Sequence, residues 1–169
     1  MNKRYAYLAA AALAMGASPA AAQTSVSMTV PQVLTLAVTG SVTLANANDA
    51  AFTAGFQQSS TDLSISHKGN VRHRVQVAGP AGLTNLGFAA LSGRSETDPG
   101  KPLSDVRLST DNFTTPVNLG TSASPATLIE QSSATGSGSA TVKTRLMLGN
   151  YATIPGTYST TMTFTIVEY

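Results

Sequence analysis

The sequence predicts an all-β fold, a β-sandwich of roughly eight or nine short strands, and three observations carry the prediction. Apolar and polar residues alternate with a period of two along much of the chain, and no window sustains a 3.6-residue repeat, which is the periodicity of half-buried strands. Ser and Thr make up 41 of the 147 residues from Gln23 onward; the branched Cβ of Thr packs on a pleated surface while its hydroxyl faces water. Clusters of Gly, Pro, Asn and Asp break the alternation at short intervals, as the turns of a sandwich require. A closed barrel or jelly roll fits the same pattern. A transmembrane barrel fits it less well, because its strands need about 9 to 11 residues and only the first and last segments here are that long.

Residues 1–22 read as a secretory signal peptide. Lys3 and Arg4 open it, an apolar stretch runs from Tyr5 to Met15, and Ala20 and Ala22 suit a signal peptidase cutting before Gln23. That stretch is short of the roughly 20 residues a spanning helix needs, and no later apolar run matches it. The chain is therefore expected to be exported to the periplasm, the cell surface or the medium, without a membrane span after cleavage, as one domain over residues 23–169. With Lys3 and Arg4 removed, eight Lys and Arg face eight Asp and Glu. A neutral chain with no basic run offers no electrostatic footprint for nucleic acid. The absence of Cys removes disulfides, thiolate metal sites and Cys nucleophiles.

The strands follow in chain order. Val26, Met28, Val30, Leu34, Leu36 and Val38 share even positions, with Ser25, Ser27, Thr29, Thr35 and Thr39 between them. Pro31 has no N–H to give a ladder, so it splits this run into strands at 25–30 and 33–39 that keep one parity. Gly40 turns the chain toward Ser41 to Leu44, Asn46 to Asp49 read as loop, and no stretch reads as a convincing helix. Leu63, Ile65, Val71, His73, Val75 and Val77 continue on odd positions across Lys68-Gly69-Asn70. Read as a hairpin, a three-residue loop there sets Ile65 opposite His73 and Leu63 opposite Val75, with Gly69 or Asn70 left-handed. Residues 79–105 form a long connection. Val106 with Leu108, Val117 with Leu119, and Leu128 with Ile129 mark three short strands, and Ser132 to Ser139 is flexible by composition. Ala140, Val142, Thr144, Leu146 and Leu148 alternate with Thr141, Lys143, Arg145 and Met147 in a long strand. A final strand after Ile154-Pro155-Gly156 carries Tyr158, Met162, Phe164 and Ile166 on one face.

No catalytic constellation is legible in these residues. G-x-S-x-G and Ser-x-x-Lys are absent, and the eight carboxylates fall mostly in turns or at strand ends, not as a facing pair. Neither an enzyme nor a cofactor is expected. His67 and His73 lack metal spacing and a third ligand; they read as flanking a turn, with His73 part-buried near a sheet end. Arg72 and Arg74 with Lys68, and Lys143 with Arg145, read as solvated strand faces whose charges discourage edge pairing. Contact with an anionic polysaccharide or partner is the other reading. Asp98-Pro99-Gly100 and Asp111-Asn112 are turn chemistry.

The last nineteen residues, Tyr151 to Tyr169, resemble the closing strand of secreted bacterial fibre subunits, the chaperone-usher pilins and the related spore coat protein U-like domains. Gly156 and Tyr158 form a Gly-x-Tyr leading into an alternating strand that ends the chain, and Gly156 is fourteenth from the end, where that family carries a Gly. The resemblance implies an incomplete immunoglobulin-like sandwich whose open groove takes the alternating N-terminal extension of the next subunit. Val26, Met28 and Val30 would be that donor strand, and Gly156, Tyr158, Met162, Phe164 and Ile166 the C-terminal strand. Physically this is β-strand addition, with affinity from main-chain hydrogen bonds and specificity from alternate side chains. The chain departs from the family in carrying Glu168 where an aromatic stands second from the end, in lacking the Cys pair, and in a donor interrupted at Pro31. The function expected is a non-enzymatic structural subunit of a bacterial surface fibre or coat, such as a pilus or fimbria. Its partners would be copies of itself or related subunits, and a periplasmic chaperone. The alternative is a self-complete, monomeric secreted binding module or adhesin, with loops 79–105 and 120–139 as contacts.

Overall fold

Among the described residues, short alternating runs closed by turn residues make eleven strands, more than the sequence pattern resolves. The computed structural model describes residues 27–149 and 154–169; the signal-peptide reading of 1–22 and the donor residue Val26 lie outside the described residues. The chain divides into two units, 1–31 and 32–169. In the first, the described residues carry no helix or strand, so the strand expected over 25–30 is not formed at 27–30. Alternation alone does not make a strand: a ladder partner is needed, and Pro31 cannot donate to one.

In the second unit the order is β1 (Leu34–Thr39), α1 (Asp49–Ala54), β2 (Phe56–Gln58), β3 (Leu63–Gly69), β4 (His73–Ala78), β5 (Gly87–Ala90), β6 (Val106–Ser109), β7 (Val117–Asn118), β8 (Ala126–Gln131), β9 (Gly136–Met147), β10 (Gly156–Ser159) and β11 (Thr163–Glu168). The helix corrects the expectation of none. Asn48 caps it, Oδ1 accepting from Ala51 N at 2.9 Å, and Gly55 ends it in the left-handed region at φ 76°. Six residues are too few for a 3.6-residue repeat to show, so the signal lies in the caps.

One antiparallel sheet runs β1-β3-β9-β6-β7, with β2 also on β9, and a second runs β11-β4-β8; β10 and β5 form a separate pair. The inward side chains of the two larger sheets, among them Leu63, Ile65, Val75, Val77, Leu108, Val142 and Leu146, make one core. The fold is therefore an all-β sandwich.

Three expectations are corrected. First, β3 and β4 do not form a hairpin: β3 pairs with β1 and β9, while β4 pairs with β11 and β8. The connection crosses from one sheet to the other, so Ile65 and Val75 enter the shared core from different sheets, and neither Gly69 nor Asn70 is left-handed. Second, the final strand is two strands, β10 on β5 and β11 on β4, with the chain changing sheets between them. Third, β9 begins at Gly136, inside the stretch read as flexible. Its first residues are held by Gly69, Lys68, His67 and Ser66 of β3 in continuous register.

Candidate functional site

Strands β1 and β11, the edge strands of the two larger sheets, are not hydrogen-bonded to each other across the seam between them. Among the described residues β1 pairs only with β3 and β11 only with β4, so each turns a row of main-chain N–H and C=O groups outward. Central strands bury their inward residues fully: Ile65, Val75, Val77 and Val142 are all 0 % exposed. The same parity on the two seam strands is only half-covered at Leu34, Leu36, Phe164 and Ile166, as is Met162 just before β11, and Val38 is 36 % exposed. One side-chain hydrogen bond spans the seam, Gln32 Nε2 donating to Glu168 Oε2 at 2.9 Å. Elsewhere the backbone links the two sheets at one point, where the end of β4 meets the segment after β7: Gly79 N donates to Gly120 O at 2.8 Å, and Ala78 and Gly120 form a parallel bridge.

The residues named for the C-terminal strand divide between two places. Phe164 and Ile166 lie in β11 and Met162 precedes it, all at the seam. Gly156 and Tyr158 lie in β10, where Tyr158 packs against Phe88 at 5.2 Å between ring centroids and its hydroxyl donates to Ile154 O at 2.7 Å. A Cβ on Gly156 would come within 2.0 Å of the Phe88 ring, so glycine is required there by close packing. Of the donor residues, Met28 and Val30 belong to no strand.

At one end of the core the two histidines meet across the sheets. His73 is 0 % and His67 6 % exposed, more buried than the sequence suggests, and His67 Nδ1 lies 2.9 Å from His73 Nε2. Val71 O, 2.8 Å from His73 Nδ1, can only accept. His73 therefore carries its proton on Nδ1, accepts at Nε2, and receives the Nδ1 proton of His67. Burial, and then the neighbouring His73, hold the His67 pKa below its usual value. Glycines of the β3–β9 sheet leave space at this end: a Cβ on Gly69 would fall 2.7 Å from His73 Nδ1 and one on Gly138 2.7 Å from His67 Nε2, while one on Gly136 would fall 2.6 Å from Gln131 Nε2. Among the described residues no group of three or more His, Cys, Asp or Glu is placed to hold a metal.

The outer face of β2, β9 and β6 carries a feature that sequence reading missed. Arg145 lies between two phenyl rings, its guanidinium carbon 4.0 Å from the Phe56 centroid and 3.7 Å from that of Phe113, and its Nε donates to Gln58 Oε1 at 2.9 Å. Burial lowers its pKa. Phe113 gets there through a turn in which Asn112 and Phe113 both adopt positive φ, 59° and 66°, a conformation costly for a bulky side chain. Ser109 holds that turn. Its hydroxyl donates to Asp111 Oδ1 at 2.7 Å and accepts from Phe113 N at 2.7 Å and Asp111 N at 3.1 Å. The Ser109 hydroxyl, with Thr115 behind it, keeps the Asp111 carboxyl at about 2. Ser109→Ala strips the acceptor from two N–H groups at a 1 % exposed position; we expect a loss of about 1–3 kcal/mol, read as a lower urea midpoint.

Compared with protein-family models, with curated proteins and with solved structures, the chain matches none.

Proposed function

We propose that the chain is an exported, non-enzymatic structural subunit that assembles into a surface fibre or coat by accepting a strand from a neighbouring copy or related subunit along the free edge of β11. The observation that carries this reading is the β1–β11 seam, where two unpaired edges flank apolar side chains left half-covered. A strand laid there would complete the second sheet and cover Phe164 and Ile166. It would also remove an edge that otherwise invites uncontrolled pairing. Val26, Met28 and Val30 have the alternation such a donor needs, and the result would be an immunoglobulin-like sandwich completed in trans. A periplasmic chaperone would hold the same edge before assembly.

The test is electrophoresis of protein purified from the producing cell, unheated and boiled, with size-exclusion chromatography. A ladder that collapses on boiling is expected, because strand-exchanged subunits separate only when they unfold. Deleting Gln23 to Val30 should leave a folded chain, judged by circular dichroism, that runs as a monomer. A single monomeric band in both lanes, with the N-terminus protected from protease, rejects the proposal in favour of a self-complete binding module.

A further inference from the structure

The charges of the described residues are distributed unevenly. All eight Asp and Glu are described, and the ion pairs among described residues are Arg94 with Glu96 at 3.0 Å and Lys101 with Asp105 at 2.6 Å. Arg107, Lys143 and Arg145 therefore have no carboxylate side chain within 4.0 Å, and they share one face. Arg107 and Arg145 stand directly opposite each other in β6 and β9, and Lys143 is two residues along the same face of β9. Like charges in that relation repel across about 4.5–5.5 Å, and the Arg107 Nε is buried without a hydrogen-bond partner.

The surroundings hold this unfavourable cluster in place. The Phe56 and Phe113 rings fix the plane of Arg145, Gln58 fixes its Nε, and Asn112 Oδ1 accepts from Lys143 Nζ at 3.1 Å. A guanidinium held in one plane presents its remaining N–H groups as a rigid fork, the geometry that matches the two oxygens of an oxyanion. Holding the fork beforehand cuts the ordering cost of binding. Three planar amides border the cations: Gln58, Asn112, and Asn118, which pairs with Arg107 across β6 and β7. Amides both donate and accept, which suits a ligand carrying hydroxyls beside its charge.

We propose that this face of β2, β9, β6 and β7 is a binding site for an acidic carbohydrate, its carboxylate or sulfate seated between Arg107 and Arg145 with Lys143 beside them, and its hydroxyls on the amides. The inference is independent of the assembly reading, because the face lies on the other sheet from β11.

Isothermal titration calorimetry of the purified protein tests it, with a galacturonic acid trimer, a sulfated galactose trimer, a neutral galactose trimer and sodium sulfate as probes. At least one acidic trimer should bind, more weakly as salt is raised, and the neutral trimer should not. Arg145→Gln and, separately, Arg107→Gln should each weaken binding at least tenfold. Arg145→Lys should not restore it, because an ammonium neither stacks nor forks. The second variant leaves the Phe-Arg-Phe clamp intact, so a folding defect in the first does not shield the proposal. Equal binding of neutral and acidic trimers, sodium sulfate binding as tightly as the trimers, or unchanged affinity in folded Arg107→Gln would each overturn it.

Discussion

Gly120→Ala is expected to be the most damaging addition of a single methyl group in this protein. The new Cβ would lie 2.4 Å from Ser124 O, 2.6 Å from Ala126 N and 3.0 Å from the Pro125 carbonyl carbon. All three are main chain, so no side-chain rotation relieves the clash. The same glycine supplies the carbonyl that Gly79 N binds at 2.8 Å and the bridge to Ala78, so moving it breaks this backbone link between the two sheets. Ordinary overpacking costs about 1–3 kcal/mol; here we expect about 4 kcal/mol or more, a large share of the roughly 5–15 kcal/mol that holds a domain together. Gly82→Ala is the control, since nothing lies within 4 Å of its Cβ and only its φ of +73° opposes the change. Urea unfolding followed by circular dichroism separates the two, and equal midpoints for both variants would refute the steric argument.

The second large effect is expected at the histidine pair. His73→Ala removes the partner of His67, the donor to Val71 O and a fully buried ring at once, for about 2–4 kcal/mol. The pair also makes stability depend on pH. The pKa of His67 is lowered in the fold, chiefly by burial, so the unfolded chain binds the proton more readily. The contribution is fully present above the unfolded value near 6.5 and is lost as pH falls through the lower folded value. The charged groups around the pair are Lys68 on β3, Arg72 before β4, Arg74 on β4, Glu130 on β8, and Glu168 on β11, opposite His73 and hydrogen-bonded to Gln32. Neighbouring β1 and β9 present Leu34, Gly136 and Gly138 there. His67→Asn keeps an N–H at the Nδ1 position without a titrating ring, and should flatten the fall in urea midpoint between about pH 7 and 5. An unchanged slope would assign the fall to other groups. These are the only histidines in the chain, so their tautomers can be read directly from imidazole nitrogen resonances.

Much of the facing was legible in the sequence, and little of the pairing. The odd positions Leu63, Ile65, His73, Val75 and Val77 point inward as the alternation requires, because the pleat sets side-chain direction locally. Alternation is identical, however, whether two successive strands bond edge to edge in one sheet or face each other across a sandwich. That is why a hairpin was expected where the chain crosses between sheets, and why Tyr158 and Phe164 looked like one strand. Composition misled at Ser132 to Ser139 for a related reason. The glycines there are set by what lies opposite them, the side chains of Gln131 and His67, which a count of small residues does not register. The half-covered residues of the seam read as ordinary core, since alternation does not register that β1 and β11 are edge strands. The arginine clamp depends on two positive-φ residues in the turn between β6 and β7, and nothing in the spacing of Phe56, Phe113 and Arg145 brings them together.

The crossing between β3 and β4 also has a consequence in time. Strand β4 leaves its predecessor for another sheet, and its two neighbours there are β8, some fifty residues later, and β11, the last strand of all. A chain threaded through a membrane from its N-terminus would present Val75 and Val77 to solvent until nearly every residue had followed. Non-local pairing of this kind is slow, on the order of milliseconds to seconds, and its intermediates expose unpaired edges that aggregate. Were the chain exported, as proposed above, it would gain from a holder that shields β4 and then yields it to the C-terminus; in any setting the order of the strands makes β4 wait for the end of the chain.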